Sequence, residues 1–356
     1  MRIVVIPGDG IGPELVESAL SVLDAVAAKQ SLTIERTVVE GGAAAYQAHG
    51  SALTEAGLTA VRNADATLKG PVGLPGVRLP DGTEAGLLGG ILRNGLDLYA
   101  NVRPITLLPG IESRLRVEDG GIDYVIVREN TEGLYASRGK GVGNSQAMAD
   151  TLLVTRVGCE RIVRFAFELA LKRSGAPADG VRRVTCVDKA NVLRSMYFFR
   201  SVFLEIAAEY PTVEAECRYV DAAAQALVME PEHFDVIVTE SMFGDILSDL
   251  GGGTIGGVAL CPGGNIGAEL AYFEPIHGSA PSIAGQDKAN PLSQILATAM
   301  MLDHLGEPAA AELIRRAVRE PLAAGRIRLH RDGTAVGGTR AVTTVVVDAV
   351  HDLVPA

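Results

Sequence analysis

Asp245 and Asp249 stand four residues apart in Gly244-Asp245-Ile246-Leu247-Ser248-Asp249, just after the apolar run Val236-Ile237-Val238. On a helix this spacing projects both carboxylates from one face, one turn apart, where like charges repel. A hard divalent cation, Mg²⁺ or Mn²⁺, turns that repulsion into attraction because it takes carboxylate oxygens as ligands. A solvated helix face has the same pattern, so the assignment depends on neighbouring chemistry. Asp221, following Glu216-Cys217-Arg218-Tyr219-Val220, reads as a third carboxylate at the end of a strand. Arg93, Arg103 and Arg128 fall at the ends of consecutive elements, where guanidinium forks can grip carboxylates bidentately. Lys189 follows the strand Val184-Thr185-Cys186-Val187, and neighbouring cations would make it a usable base. The turn Glu274-Pro275-Ile276-His277-Gly278-Ser279-Ala280-Pro281 is dense in Gly, Pro and small residues, and its backbone N–H groups suit phosphates.

Positioning so many groups requires a sizeable scaffold, and 356 residues supply two ordinary domains or one large α/β unit. Strand-like runs at 2–6, 33–39, 65–69, 98–102, 122–127, 182–187, 214–220 and 235–239 alternate with helical patterns at 12–28, 52–62, 84–95, 155–173, 191–209, 222–229 and 241–250. That alternation predicts an α/β fold with a largely parallel sheet, followed by helices at 292–305, 308–322 and 340–353. Segment 129–150, rich in Gly, Ser and Asn, reads as a loop or as an arm reaching a second subunit. A net charge of −11 argues against nucleic-acid or acidic-membrane partners, so local arginines must hold any anionic substrate. The four cysteines show no Cys-x-x-Cys pair and read as free thiols of a reducing compartment. No apolar stretch approaches the roughly 18 residues of a membrane span, and a soluble cytoplasmic protein is expected.

Gly8-Asp9-Gly10-Ile11-Gly12 invites a dinucleotide-binding reading but spaces its glycines as G-x-G-x-G, so the Rossmann fingerprint fails. A tight turn with positive φ accounts for it, and Glu40 is only an isolated match to a ribose-binding acid.

Together the motifs resemble the isocitrate/isopropylmalate dehydrogenase family of β-decarboxylating dehydrogenases. The resemblance runs through Pro7-Gly-Asp-Gly-Ile-Gly-Pro-Glu14, Tyr99-Ala-Asn-Val-Arg-Pro104, Arg128-Glu-Asn-Thr-Glu-Gly133 with Tyr135, Asp188-Lys-Ala-Asn191, Gly244–Asp249 and Glu274–Pro281. It implies a non-Rossmann isopropylmalate dehydrogenase-like α/β fold. Residues 1–98 with 252–356 would form a large cofactor-side domain, and 99–251 a small dimerisation and substrate domain with its arm near 129–150. It implies a homodimer sharing its active sites: Asp245 and Asp249 would hold the metal with Asp221 of the other subunit. Arg93, Arg103 and Arg128 would clamp a hydroxy-dicarboxylate, with Leu87, Leu88 and Asn191 as further substrate contacts. Lys189 would take the C2 hydroxyl proton and Tyr135 would protonate the carbon left after CO₂ departs.

Cofactor contacts transfer by the same resemblance to Glu274, His277, Gly278, Ser279, Ala280, Ile283 and Asn290. Ser282-Ile283 offers no Lys or Tyr for a 2′-phosphate, which favours NAD, although the missing acid removes the usual repulsion against NADP. Thr83-Glu84-Ala85-Gly86-Leu87-Leu88 resembles the run whose leucines meet an isopropyl group, so 3-isopropylmalate is the expected substrate. Gly89-Gly90-Ile91-Leu92 then places two extra residues before Arg93, and the Glu129-Asn130-Thr131-Glu132-Gly133 run follows the isocitrate, homoisocitrate and tartrate side of the family. Tartrate, D-malate, isocitrate and homoisocitrate therefore remain alternatives.

Overall fold

The computed structural model describes residues 1–117 and 120–354. The first part of the chain runs β1 (Arg2–Ile6), α1 (Gly12–Gln30), β2 (Glu35–Val38), α2 (Ala43–His49), α3 (Glu55–Arg62) and β3 (Ala66–Lys69). It continues through β4 (Ala100–Thr106), β5 (Asp123–Glu129), a small hairpin of β6 (Val142–Gly143) and β7 (Met148–Ala149), α4 (Arg156–Lys172), β8 (Arg183–Asp188) and α5 (Arg194–Ala207). Next come β9 (Glu214–Tyr219), α6 (Val220–Met229), β10 (Val236–Thr239) and α7 (Ser241–Thr254). The last part holds β11 (Pro262–Ile266), β12 (Ala271–Pro275), α8 (Leu292–His304), α9 (Pro308–Ala323) and α10 (Thr339–Asp352).

One sheet carries all strands except the hairpin, in the order β2-β1-β3-β12-β11-β4-β5-β10-β8-β9. Its two ends are parallel, as the alternation predicts, but β11 runs antiparallel to β12 and to β4, and β4 runs antiparallel to β5. The central seam is therefore made of antiparallel strands. Helices cover both faces: one core joins α1, α8, α9 and α10 to strand residues such as Val5, Ile105, Ile126 and Ile237. Another packs α4 and α5 on Val125, Val127, Val184 and Val238. Alternate residues of β5 thus face opposite cores, the period-two pattern of a buried strand.

Local sequence explains most helices. Cys159, Ile162, Val163, Ala166, Phe167 and Ala170 form the buried stripe of α4, and Thr155 caps its start by accepting from Gly158 N at 3.1 Å. Phe167, fully buried, stacks between Phe203 and Tyr210. Burying such a ring contributes about 1.5–3 kcal/mol.

Several expectations need correction. The helix expected over 84–95 shrinks to a single π-turn, Gly90–Asn94. Gly86 sits at φ +82°, and a Cβ there would lie 2.4 Å from Ala43 N, so the chain turns where a helix was expected to start. Arg103 lies within β4, which is antiparallel to both neighbours, whereas Arg128 stands at the carboxyl end of β5, which runs parallel to β10. Asp221 opens α6 instead of closing a strand. Helix α2 and strands β11 and β12 were not read from the sequence. Segment 129–150 begins with buried Glu129 and Asn130 and then forms the exposed β6–β7 hairpin.

Candidate active site

Strand β5 delivers Arg128, its neighbour β4 delivers Arg103, and α7 lays Asp245 between them. Gly244 makes this approach possible, because a Cβ there would come within 2.7 Å of the Arg128 stem. Arg128 Nη1 donates to Asp245 Oδ1 at 2.5 Å and Arg103 Nη1 to the same oxygen at 3.0 Å. Tyr135 OH donates to Asp245 Oδ2 at 2.9 Å, and its ring lies under the Arg128 guanidinium. Burial opposes ionisation of Asp245, but Arg128 and Arg103 hold its carboxyl below the usual carboxylate range. Arg128 is fully buried, and burial together with Arg103 works against its charge while Asp245 supports it. Asp249, one turn along α7, accepts no hydrogen bond or ion pair among the described residues. Desolvation, aided by Asp245 and opposed by Arg103 and Arg128, raises its pKa.

Arg93 arrives from the opposite side on the π-turn. Its Nε donates to Tyr272 OH at 2.9 Å and its Nη2 to Glu274 Oε1 at 3.0 Å. Lys69, at the end of β3 and 2% exposed, pairs with Glu274 Oε2 at 2.6 Å. Burial alone would raise the Glu274 pKa, but Lys69 and Arg93 bring it down to about 2. These groups share a cleft of about 280 Å³ with His277, Gly278 and Arg138, and with an apolar wall of Val72, Leu87 and Leu88. The cleft can bind a dianion against the arginines and a small apolar group against the leucines.

Lys69, Tyr272 and Arg138 escaped the sequence reading. Lys69 was findable by the logic applied to Lys189, since it ends a buried strand. Tyr272 was not, because its strand went unrecognised. Lys189, Asp221 and Asn191 do not line this cleft. Lys189 Nζ, just after β8, pairs with Asp221 Oδ1, in the first turn of α6, at 2.5 Å. Exposed apolar side chains surround these residues in sequence, including Val192, Leu193 and Tyr197 after Lys189 and Ile246 after Asp245. Among the described residues no three His, Cys, Asp or Glu side chains of one chain gather into a metal site.

The loop after β12 is organised by the Gly-rich turn. Ile11 N donates to Ser279 O at 2.8 Å, and Ser279 Oγ donates to Gly73 O, so the Ser279 side chain is occupied within the chain. Asp9 accepts from Ala43, Ala44 and Gly73 amides, tying that turn to the cleft wall. Gly8 and Gly10 have positive φ, as the tight-turn reading expects. Glu40 instead pairs with His49 at 3.1 Å.

The family model described as isocitrate/isopropylmalate dehydrogenase matches residues 2–350. The chain belongs to this family. A 3-isopropylmalate dehydrogenase from Leifsonia xyli is 45% identical, with 91% of each chain covered. A 3-isopropylmalate/3-methylmalate dehydrogenase from Methanocaldococcus jannaschii is 43% identical over 91% of this chain and 92% of its own. The solved isocitrate dehydrogenase from Methylococcus capsulatus is 40% identical with a TM-score of 0.86, covering 98% of this chain and 99% of that one. The isocitrate/isopropylmalate dehydrogenase fold expected from the motifs is thus the fold of this chain.

Two features of this family member suit absent groups. Asp245 and Asp249 are hard oxygen donors on one helix face, and Asp249 has no partner among the described residues, which fits a divalent cation. Beside the 277–283 loop, Asn290 is 4% exposed and its Nδ2 lacks a hydrogen-bond partner among the described residues, while the Cβ position of Gly278 meets open space. That fits a nucleotide. His277 joins the loop to α8 through Ser293 Oγ at 3.0 Å, and burial lowers its pKa, favouring the neutral ring.

Proposed function

We propose that this protein catalyses the NAD-dependent, divalent-metal-dependent oxidative decarboxylation of a 3-substituted malate, with 3-isopropylmalate as substrate. The observation that carries this reading is one cleft holding Arg93, Arg103, Arg128 and Asp245 against the apolar wall of Val72, Leu87 and Leu88. The names of the relatives from Leifsonia xyli and Methanocaldococcus jannaschii support the same substrate.

In this reading the three arginines bind the carboxylates and orient C2 and C3, while Leu87 and Leu88 receive the isopropyl group. Residues 1–98 with 252–356 and residues 99–251 are the two lobes that close around the substrate. Asp245, Asp249 and Asp221 of the partner subunit hold Mg²⁺ or Mn²⁺, which when bound supplies Lewis acidity at the C2 oxygen. Lys189 of the partner subunit takes the C2 hydroxyl proton. Tyr135, whose phenol is kept protonated by burial and by Asp245, returns a proton to C3 after CO₂ leaves. His277, Gly278, Ala280, Ile283 and Asn290 form the cofactor side, with the backbone of Ser279 in place of its occupied hydroxyl.

Arg138 favours one second reading. It lines the cleft and spends only Nη2 on Glu84 O, at 2.9 Å, which leaves its other nitrogens for a carboxylate on the C3 substituent, as in isocitrate or homoisocitrate. A turnover panel of 3-isopropylmalate, isocitrate, homoisocitrate, D-malate and tartrate, each with NAD and NADP, tests both. Highest kcat/KM for 3-isopropylmalate with NAD is expected. Preference for a tricarboxylate would move the assignment to the second reading.

A further inference from the structure

The arginines approach the cleft from different parts of the sheet, and a buried chain of side chains connects two of them. Arg103 Nε donates to Asn101 Oδ1 at 2.6 Å, Asn101 Nδ2 to Asn265 Oδ1 at 2.6 Å, and Asn265 Nδ2 to Glu274 Oε1 at 3.0 Å. The same Glu274 oxygen accepts from Arg93. Asn101 and Asn265 face each other in register across the antiparallel β4–β11 pair, and both are at most 1% exposed. The link therefore crosses the junction between the segment 99–251 and the C-terminal part of the chain.

Its direction is fixed at both ends. A guanidinium can only donate and an ionised carboxylate can only accept, so each intervening amide must turn its oxygen toward Arg103 and its nitrogen toward Glu274. Asn130 Nδ2 donates to Asn265 Oδ1 at 3.0 Å and reinforces that orientation. Lys69 occupies the other Glu274 oxygen. Glu274 thus accepts from Arg93, Asn265 and Lys69, besides any cofactor contact expected of it.

We propose that Asn265 and Asn101, with Glu274, are positioning residues: a directional hydrogen-bond relay that sets the spacing of Arg93 and Arg103 across the lobe junction for a dicarboxylate. None of them needs to touch the substrate. Buried polar networks specify geometry when every member is satisfied and become costly when one member is reversed. Asn265→Asp does this with little change of shape, because it turns an acceptor toward the Glu274 carboxylate.

The inference rests on the arginines being the anion clamp, so Arg103→Gln is measured alongside. Steady-state kinetics on the full-length protein, with melting temperatures, provide the test. Asn265→Asp is expected to raise KM for the hydroxy acid roughly thirtyfold or more, with kcat and KM for NAD within about threefold. Asn265→Leu, which breaks the relay without adding charge, should raise the same KM and carries the test if Asn265→Asp does not fold. Unchanged hydroxy-acid KM in a folded Asn265 variant overturns the relay, as does a loss that falls equally on stability, kcat and both KM values. A normal KM in Arg103→Gln overturns the clamp, and the relay with it.

Discussion

Glu274 stays ionised although buried because Lys69 and Arg93 flank it, and this gives its contribution to stability a definite pH window. Its folded pKa of about 2 lies below the ordinary value near 4.5, so the stabilisation is present above 4.5 and lost as pH falls toward 2. The shift corresponds to about 3 kcal/mol. Denaturant unfolding of wild type and Glu274→Gln across this range should show the stability gap closing by that order; a constant gap would deny Glu274 this role. The sequence exposed only part of this chemistry. Asp245, Asp249 and Arg128 were legible because the two aspartates share one short motif and Arg128 follows a recognisable apolar strand. The Lys69–Glu274–Arg93 cluster brings together residues from three distant segments, and no local pattern reports such a meeting.

At the scale of elements, α7 and β5 depend on a missing side chain. Gly244→Ala should add helix propensity of up to about 1 kcal/mol. Its methyl group, however, would have to displace the Arg128 stem from its place beside Asp245. Raised hydroxy-acid KM with little change in melting temperature is expected; unchanged KM would mean that Arg128 has room to shift without consequence. The same tension explains which elements were readable. Helices such as α4 announce themselves by their stripe and cap. Strand β11, Pro262-Gly263-Gly264-Asn265-Ile266, has the composition of a loop and is a strand only because β4 and β12 enclose it. Gly264 there leaves room for the Phe273 ring, which a Cβ would meet at 3.0 Å. Close packing set the residue choice, so propensity could not reveal it.

The whole molecule divides its chemistry. The cleft gathers Arg93, Arg103, Arg128, Tyr135 and Asp245, whereas Lys189 and Asp221 pair outside it. If paired subunits exchange these halves, two different inactive variants should complement each other. Lys189→Ala and Asp245→Asn are each expected to lack turnover while keeping the fold. After co-unfolding and refolding in equal amounts, half of the dimers would contain one intact site, restoring about a quarter of wild-type activity. No recovery, with mixed dimers verified by mass, would place each site within one chain. The exposed β6–β7 hairpin and Ile246 beside Asp245 offer apolar surface for such a pairing.

One detail of the cleft has a thermodynamic meaning of its own. In the isolated chain Asp245 is gripped by Arg103, Arg128 and Tyr135. A cation drawing that carboxylate away frees the guanidiniums, and an organic dianion occupying the guanidiniums frees the carboxylate. Each ligand thereby undoes the internal pairing that hinders the other. On the proposed function their affinities would be linked by the same factor in both directions, which would disfavour either ligand arriving alone.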